Sequence, residues 1–197
     1  MVAISGYNIP TVTKSNLSEI FISVDVETAG PNPAAYAMLS IGACLVNDPE
    51  VSFYVELQPD KDNILPSALA VSGLSMKNLA QSGVPPQKAM QDFADWVAQI
   101  VPQESSPVFV AFNAVFDWMF VDDYFHRYLG ENPFGYAALD IKAYYMGLTG
   151  VKWGETKQRI ISKKLGLDKQ LTHNALRDAQ DQAALFIRLL EITQIEE

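Results

Sequence analysis

Asp25 and Glu27 sit two residues apart at the end of an otherwise apolar run, FISVDVETAG (residues 21–30). Phe21, Ile22 and Val24 suit a buried strand, in which alternate residues share a face and lie about 6.6 Å apart. Both carboxylates therefore point to one side. Burying an unpaired carboxylate costs several kcal/mol, and no Lys or Arg lies close by in sequence to offset it. Thr28 and Gly30 follow, small enough to let a ligand reach the backbone. A second pair of the same spacing, Asp48 and Glu50, falls in the turn NDPEV and is expected to be solvated.

Two further segments carry acids in unusual places. On a helix starting near Ala114, Asp117 shares a stripe with Val121, Tyr124 and Tyr128, so this acid lines up with apolar side chains. Helix capping is the alternative for Asp117, although Asn113 is better placed as the cap. In THNALRDAQDQA (172–183), Asp178 borders an apolar stripe of Leu176, Ala179, Ala183, Phe186 and Leu190. A helix beginning near Asn174 would leave His173 in the preceding loop, free to bend toward Asp178. The other histidine, His126, sits among aromatic residues and suits a structural role.

Four acids and one histidine from three segments suit one chemistry. Clustered carboxylates raise one another's pKa values unless cations neutralise them. Two divalent ions about 3.5–4 Å apart would do so and could clamp both sides of an in-line displacement at a phosphodiester. Oxygen ligands without thiolate favour Mg²⁺ or Mn²⁺ over zinc. Histidine, which titrates near neutrality, could then take a proton from the attacking water.

DVETAG, FNAVFD and HNALRDAQ, in this order and spacing, resemble the three motifs of the DEDDh 3′-5′ exonucleases, a group that includes RNase T, oligoribonuclease and bacterial polymerase proofreading subunits. The resemblance spans about residues 20–190. It implies a ribonuclease H-like fold, metal binding by Asp25, Glu27 and Asp178 with Asp117 completing the site directly or through water, and His173 as general base. It also implies contacts to the terminal nucleotide from Thr28 and its backbone, a polar Asn113 beside the site, and 3′ ends of single-stranded DNA or RNA as substrate. Ala29 stands where a second Thr is common in the family. Release of nucleoside 5′-monophosphates is the expected activity; restriction to very short oligonucleotides, or a non-catalytic binding module, are the alternatives. A homodimer and polymerase association are both compatible with the family.

The elements that must position these groups read as α/β. Strands are expected near 20–27, 37–47 and 50–59, then helices over 66–73 and 85–101. A strand at 107–112, a helix over 114–130, a strand at 136–141 and helices near 155–165 and 174–194 complete the chain. Three hairpin-linked strands followed by strand–helix alternation predict a mixed five-stranded sheet flanked by helices. Residues 1–18 read as a polar arm and 19–197 as one domain. The 197 residues lack an apolar window of membrane-spanning length. The N-terminus lacks the pattern of a signal peptide, and the single Cys44 excludes an internal disulfide framework; a cytoplasmic protein is expected.

Net charge is −9, against binding by bulk electrostatics. Residues 142–188, however, hold nine Lys and Arg against four acids, +5, which leaves −14 on the rest. That segment could face a phosphate chain or be an ordinary solvated surface. Phe116, Tyr144, Tyr145 and Trp153 could likewise stack on bases or belong to the core.

Overall fold

The structure, a computed structural model, describes residues 18–167 and 172–194. Five strands, β1 (Ser18–Thr28), β2 (Met38–Leu45), β3 (Ser52–Glu56), β4 (Ser105–Ala111) and β5 (Ala138–Asp140), form one sheet in the order β3-β2-β1-β4-β5. The first three run antiparallel as hairpins, while β4 and β5 lie parallel to β1 and to each other. Helices α1 (Pro66–Ser72), α2 (Met76–Ser82) and α3 (Pro86–Ile100) separate β3 from β4. Helix α4 (Val115–Tyr128) leads to β5, and α5 (Ile141–Thr149), α6 (Gln158–Lys164) and α7 (Ala175–Gln194) follow. The expected mixed sheet is present. The expected arm lies outside the described residues apart from Ser18, which is the first residue of β1.

Helices α2 and α5 are the elements that sequence periodicity did not reveal. The start of α5 is fixed by Asp140, whose carboxylate accepts from Ala143 N–H (2.7 Å), and its end by Gly150 at φ 69°. This pairing of an acidic N-cap with a left-handed glycine stop outweighs the β-favouring Tyr144 and Tyr145.

Strand alternation divides the sheet between two cores. Ile22, Val24 and Val26 of β1 face one layer, with Phe93, Phe109, Phe120 and Phe125. Phe21 faces the other, with Ile161, Ala183 and Phe186 beneath α7. Ser23, Asp25 and Glu27 share the face of Phe21, as the period of two requires.

Small residues on that face bring α7 close. A Cβ on Gly42 would lie 2.1 Å from Leu176 N and 2.2 Å from Ala175 C, so only glycine admits the helix N-terminus here. Beside it, Ser23 Oγ donates to Ala179 O (2.7 Å). Both contacts fix the height of α7 over β1, and with it the height of Asp178. Gly30 lines a cleft, as expected, and has a second role: the Tyr36 ring occupies the space its side chain would need, 2.3–2.6 Å from an added Cβ. Cys44 is buried, and burial pushes its thiol up to about 12. No helix among the described residues is long and apolar enough to cross a membrane.

Candidate active site

Strands β1 and β4 pair from Ser18/Ser105 to Ser23/Val110 and then part. The sheet opens at the C-terminal ends of two parallel strands, a favoured place for ligands in α/β sheets. A cavity of about 210 Å³ lies there, lined by Asp25, Glu27, Asn113, Phe116, Asp117, Gln158, His173, Asp178 and Gln182 with Val26 and Phe112. All five residues with expected catalytic roles therefore meet in one place. Asp48 and Glu50 are exposed, in the turn between β2 and β3.

Three of the four acids are held by specific partners, Asp25 by Gln182 (2.6 Å) and the other two as follows. Beyond the end of the β1–β4 pairing, Asp117 Oδ1 accepts from Val26 N–H (3.1 Å), so this acid secures the splayed strand end. Asp178 Oδ1 accepts from Thr172 N–H (3.0 Å) and Oγ1 (3.1 Å). Asn174 caps α7 through Arg177 N–H (3.2 Å), which leaves His173 in the preceding loop as expected. His173 is exposed, and ligand atoms of Glu27, His173 and Asp178 lie within 4.8 Å of one another.

Among the described residues, the non-glycine residues at positive φ are Asn113 (67°) and His173 (53°). Both line the cavity. Left-handed backbone is tolerated by Asn and His but is sparsely populated, and such conformations cluster at functional sites. Asn113 does not cap α4 as sequence reasoning suggested. Its Oδ1 accepts from Lys142 Nζ (3.2 Å), and Ala114 N–H donates instead to Asp140 (2.7 Å).

The electrostatics of the cavity suit a bound cation. Asp117 and Asp178 are 4% and 3% exposed, and no described Lys or Arg lines the cavity. Burial, reinforced by Asp117, Glu27 and Asp178, holds Asp25 well above the usual carboxylate range. Burial first, and then Asp178, pushes Glu27 up to about 7. Burial raises Asp117 to about 8, against the hydrogen bond from Val26. Donors from Gln182, Val26 and Thr172 are too few to neutralise four carboxylates, and an oxygen-rich cluster of this kind fits a hard divalent cation.

Comparison with known proteins agrees with this chemistry. The family model for the "3′-5′ exoribonuclease Rv2179c-like domain" matches residues 20–190. The 3′-5′ DNA exonuclease Cap18 of Escherichia coli is 47% identical over 173 residues, 88% of this chain and 92% of that protein. This chain belongs to that 3′-5′ exonuclease family. Ribonuclease T of Pectobacterium atrosepticum is 28% identical, covering 86% of this chain and 80% of the enzyme. The nuclease domain of 3′hExo, a DEDDh family member bound to rAMP, superposes with a TM-score of 0.74 at 16% identity, over 90% of this chain and 94% of that one. The fold of the exonuclease is thus ribonuclease H-like.

One residue of the exonuclease's site escaped sequence reasoning. Gln182, 3% exposed, donates from Nε2 to Asp25 Oδ1 (2.6 Å) and accepts at Oε1 from Phe112 N–H (2.9 Å). It bridges the gap where β1 and β4 part. Its position one turn after Asp178, on the same helix face, was the available signal. Gln182→Leu should leave Phe112 N–H unpaired and Asp25 unheld, costing about 1–3 kcal/mol in stability. Activity or divalent-metal affinity should fall about 10–100-fold, as for other residues that orient metal ligands. Thermal melting and Mn²⁺ titration of the variant check both.

The raised carboxyls also set a pH dependence. A group whose folded pKa exceeds its unfolded one adds stability that is complete below the unfolded value and is lost as pH rises through the folded value. For Glu27 and Asp117 the loss runs from about 4 up to about 7–8. Asp60, lowered to about 2 by Tyr124, Arg127 and Lys61 against its own burial, is ionised throughout this window and contributes no slope. The metal-free exonuclease should therefore melt at a lower temperature at about pH 9 than at about pH 5, and divalent cation should remove most of the difference. Calorimetry with and without EDTA measures it.

Proposed function

We propose that the exonuclease releases nucleoside 5′-monophosphates one at a time from the 3′ end of single-stranded DNA, with Asp25, Glu27, Asp117 and Asp178 holding two divalent cations, Mg²⁺ or Mn²⁺. The observation that carries this reading is the meeting of four unneutralised carboxylates and one accessible histidine in a single cavity. When bound, the cations would supply Lewis-acid stabilisation to a phosphodiester undergoing in-line attack.

The protein's own groups divide the remaining work. His173 takes the proton from the attacking water; it is exposed to solvent and faces the carboxylates across less than 4.8 Å. Gln182 keeps Asp25 oriented. A neighbouring cleft of about 400 Å³, lined by Val26, Glu27, Thr28, Gly30, Leu65, Ala68 and Phe116 among others, suits a nucleoside. The two cavities share Val26, Glu27 and Phe116, so a base on Phe116 would leave its 5′ phosphate above the carboxylates. Thr28 contributes there through its backbone, because its hydroxyl already donates to Gly30 O (2.9 Å). Asn113 lines the carboxylate cavity.

DNA is favoured because the 47% identical Cap18 is a DNA exonuclease; the family's description as an exoribonuclease supports RNA as the second reading. DNA and RNA oligomers of matched sequence and several lengths, 5′-labelled and incubated with Mg²⁺, separate the two. Faster shortening of DNA is expected. Preferential loss of RNA, or of the shortest oligomers alone, would replace this substrate assignment.

A further inference from the structure

The cavity wall at Asn113 continues outward into a surface that the reaction itself does not use. Lys142 donates to Asn113 Oδ1 (3.2 Å), and its Nζ lies 4.2 Å from the centre of the Trp153 ring. Trp153 is 53% exposed, whereas its sequence neighbours in the aromatic set are accounted for: Tyr145 is buried, and Tyr144 packs edge-on against Phe186. The indole is not on a loose loop. Thr156 is fully buried, its hydroxyl and N–H donate to Trp153 O (2.8 and 3.1 Å), and Glu155 N–H donates to Lys152 O (2.8 Å). Glu155 folds its carboxylate back onto Lys152 N–H (3.2 Å). It is the one acid among residues 142–167, which carry six Lys and Arg. Lys152, Lys157, Arg159, Lys163 and Lys164 are all exposed and make no ion pair among the described residues.

An acidic protein thus concentrates positive charge in one segment of sequence, which also supplies Lys142, the cavity-lining Gln158 and a large aromatic side chain presented to water by an ordered turn. We propose that Trp153 and Lys142 form a subsite for the nucleotide on the 5′ side of the scissile phosphate, the indole stacking on its base and the ammonium group holding its phosphate. The path is continuous: nucleoside cleft, shared edge at Glu27 and Phe116, carboxylate cavity, Asn113, Lys142, Trp153. A chain with its last nucleoside in the first cleft and its scissile phosphate over the carboxylates can continue past Asn113 to Lys142 and Trp153. Stacking tolerates any base, and Lys on phosphate carries no sequence information, so the subsite should be sequence-neutral. The assignment rests on the exonuclease acting on a single strand longer than two nucleotides.

The test compares Trp153→Ala, Trp153→Phe and Lys142→Gln on (dT)10 and (rU)10, with thymidine 5′-monophosphate as a competing inhibitor that carries nothing on the far side of its phosphate to meet Trp153. On whichever oligomer the wild type degrades, Trp153→Ala should raise KM at least about fivefold, the lower end for losing one stacked base, with kcat unchanged. Trp153→Phe should restore most of the affinity. Lys142→Gln should lower the salt dependence of KM by about one ion. The inhibition constant of thymidine 5′-monophosphate should be the same for Trp153→Ala as for wild type. Unchanged oligomer KM in Trp153→Ala, or an equal weakening of oligomer KM and of inhibition by thymidine 5′-monophosphate, overturns the subsite. A wild type that prefers (rU)10 overturns only the DNA assignment, because the Trp153 comparison is then read on RNA.

Discussion

Asp25→Asn is expected to lower the exonuclease rate by several orders of magnitude while raising the melting temperature of the metal-free protein above about pH 7. The two effects have one cause. Asp25 is crowded by Asp117, Glu27 and Asp178 and shielded from water, so its charge is unfavourable until a cation arrives. The amide keeps the hydrogen bond from Gln182 and removes the charge, relieving repulsion in the empty site and weakening the site for its cation. Metal should then stabilise wild type more than the variant, since a ligand that binds only the folded state adds about 2.7 kcal/mol at a hundred times its Kd. Asp48→Ala and Glu50→Ala, in the exposed turn, should leave rate and melting unchanged. Equal losses from the two acid pairs would mean that burial on β1 is irrelevant to activity.

His173→Ala should lower the rate by about 10²–10⁴-fold, the usual worth of a positioned general base. Its signature differs from that of the acids. Mn²⁺ affinity, read by calorimetry, should stay near wild type, because the carboxylates hold the ions. Asp178→Asn should weaken that affinity. The lost rate should be partly recovered at high hydroxide concentration, which can replace the missing base. His173 lies within ligand distance of Glu27 and Asp178, so the same experiment distinguishes the base from a ligand. A variant that binds metal poorly and gains nothing from hydroxide would make His173 a ligand.

Much of this site was legible because its residues violate local rules. Asp25 and Glu27 break the apolar pattern of β1, Asp117 breaks the stripe of α4, and His173 precedes a helix start marked by Asn174. A period of two or of 3.6 is enough to reveal such misfits. What stayed hidden depends on tertiary register. The parting of β1 from β4 after Ser23 and Val110 makes the cavity, and no feature of either strand announces it. Gln182 is an ordinary polar helix residue until that gap gives both ends of its amide a partner. Asn113 satisfies every local criterion for a cap, yet Lys142, 29 residues on, takes its oxygen. Gly30 lines the nucleoside cleft, but the sequence does not show that Tyr36 packs into the space its side chain would need. Trp153 could not be assigned from sequence, because only the buried Thr156 and the nearby Lys142 show that the indole is held outward.

The most direct test of the central claim follows 5′-labelled single-stranded DNA over time with Mg²⁺, and in parallel with excess EDTA. A carboxylate-bound metal site acting from the 3′ end predicts a ladder shortening by single nucleotides, with nucleoside 5′-monophosphate as product and no cleavage in EDTA until Mg²⁺ or Mn²⁺ is restored. Undiminished cleavage in EDTA, or internal fragments in place of the ladder, would contradict it.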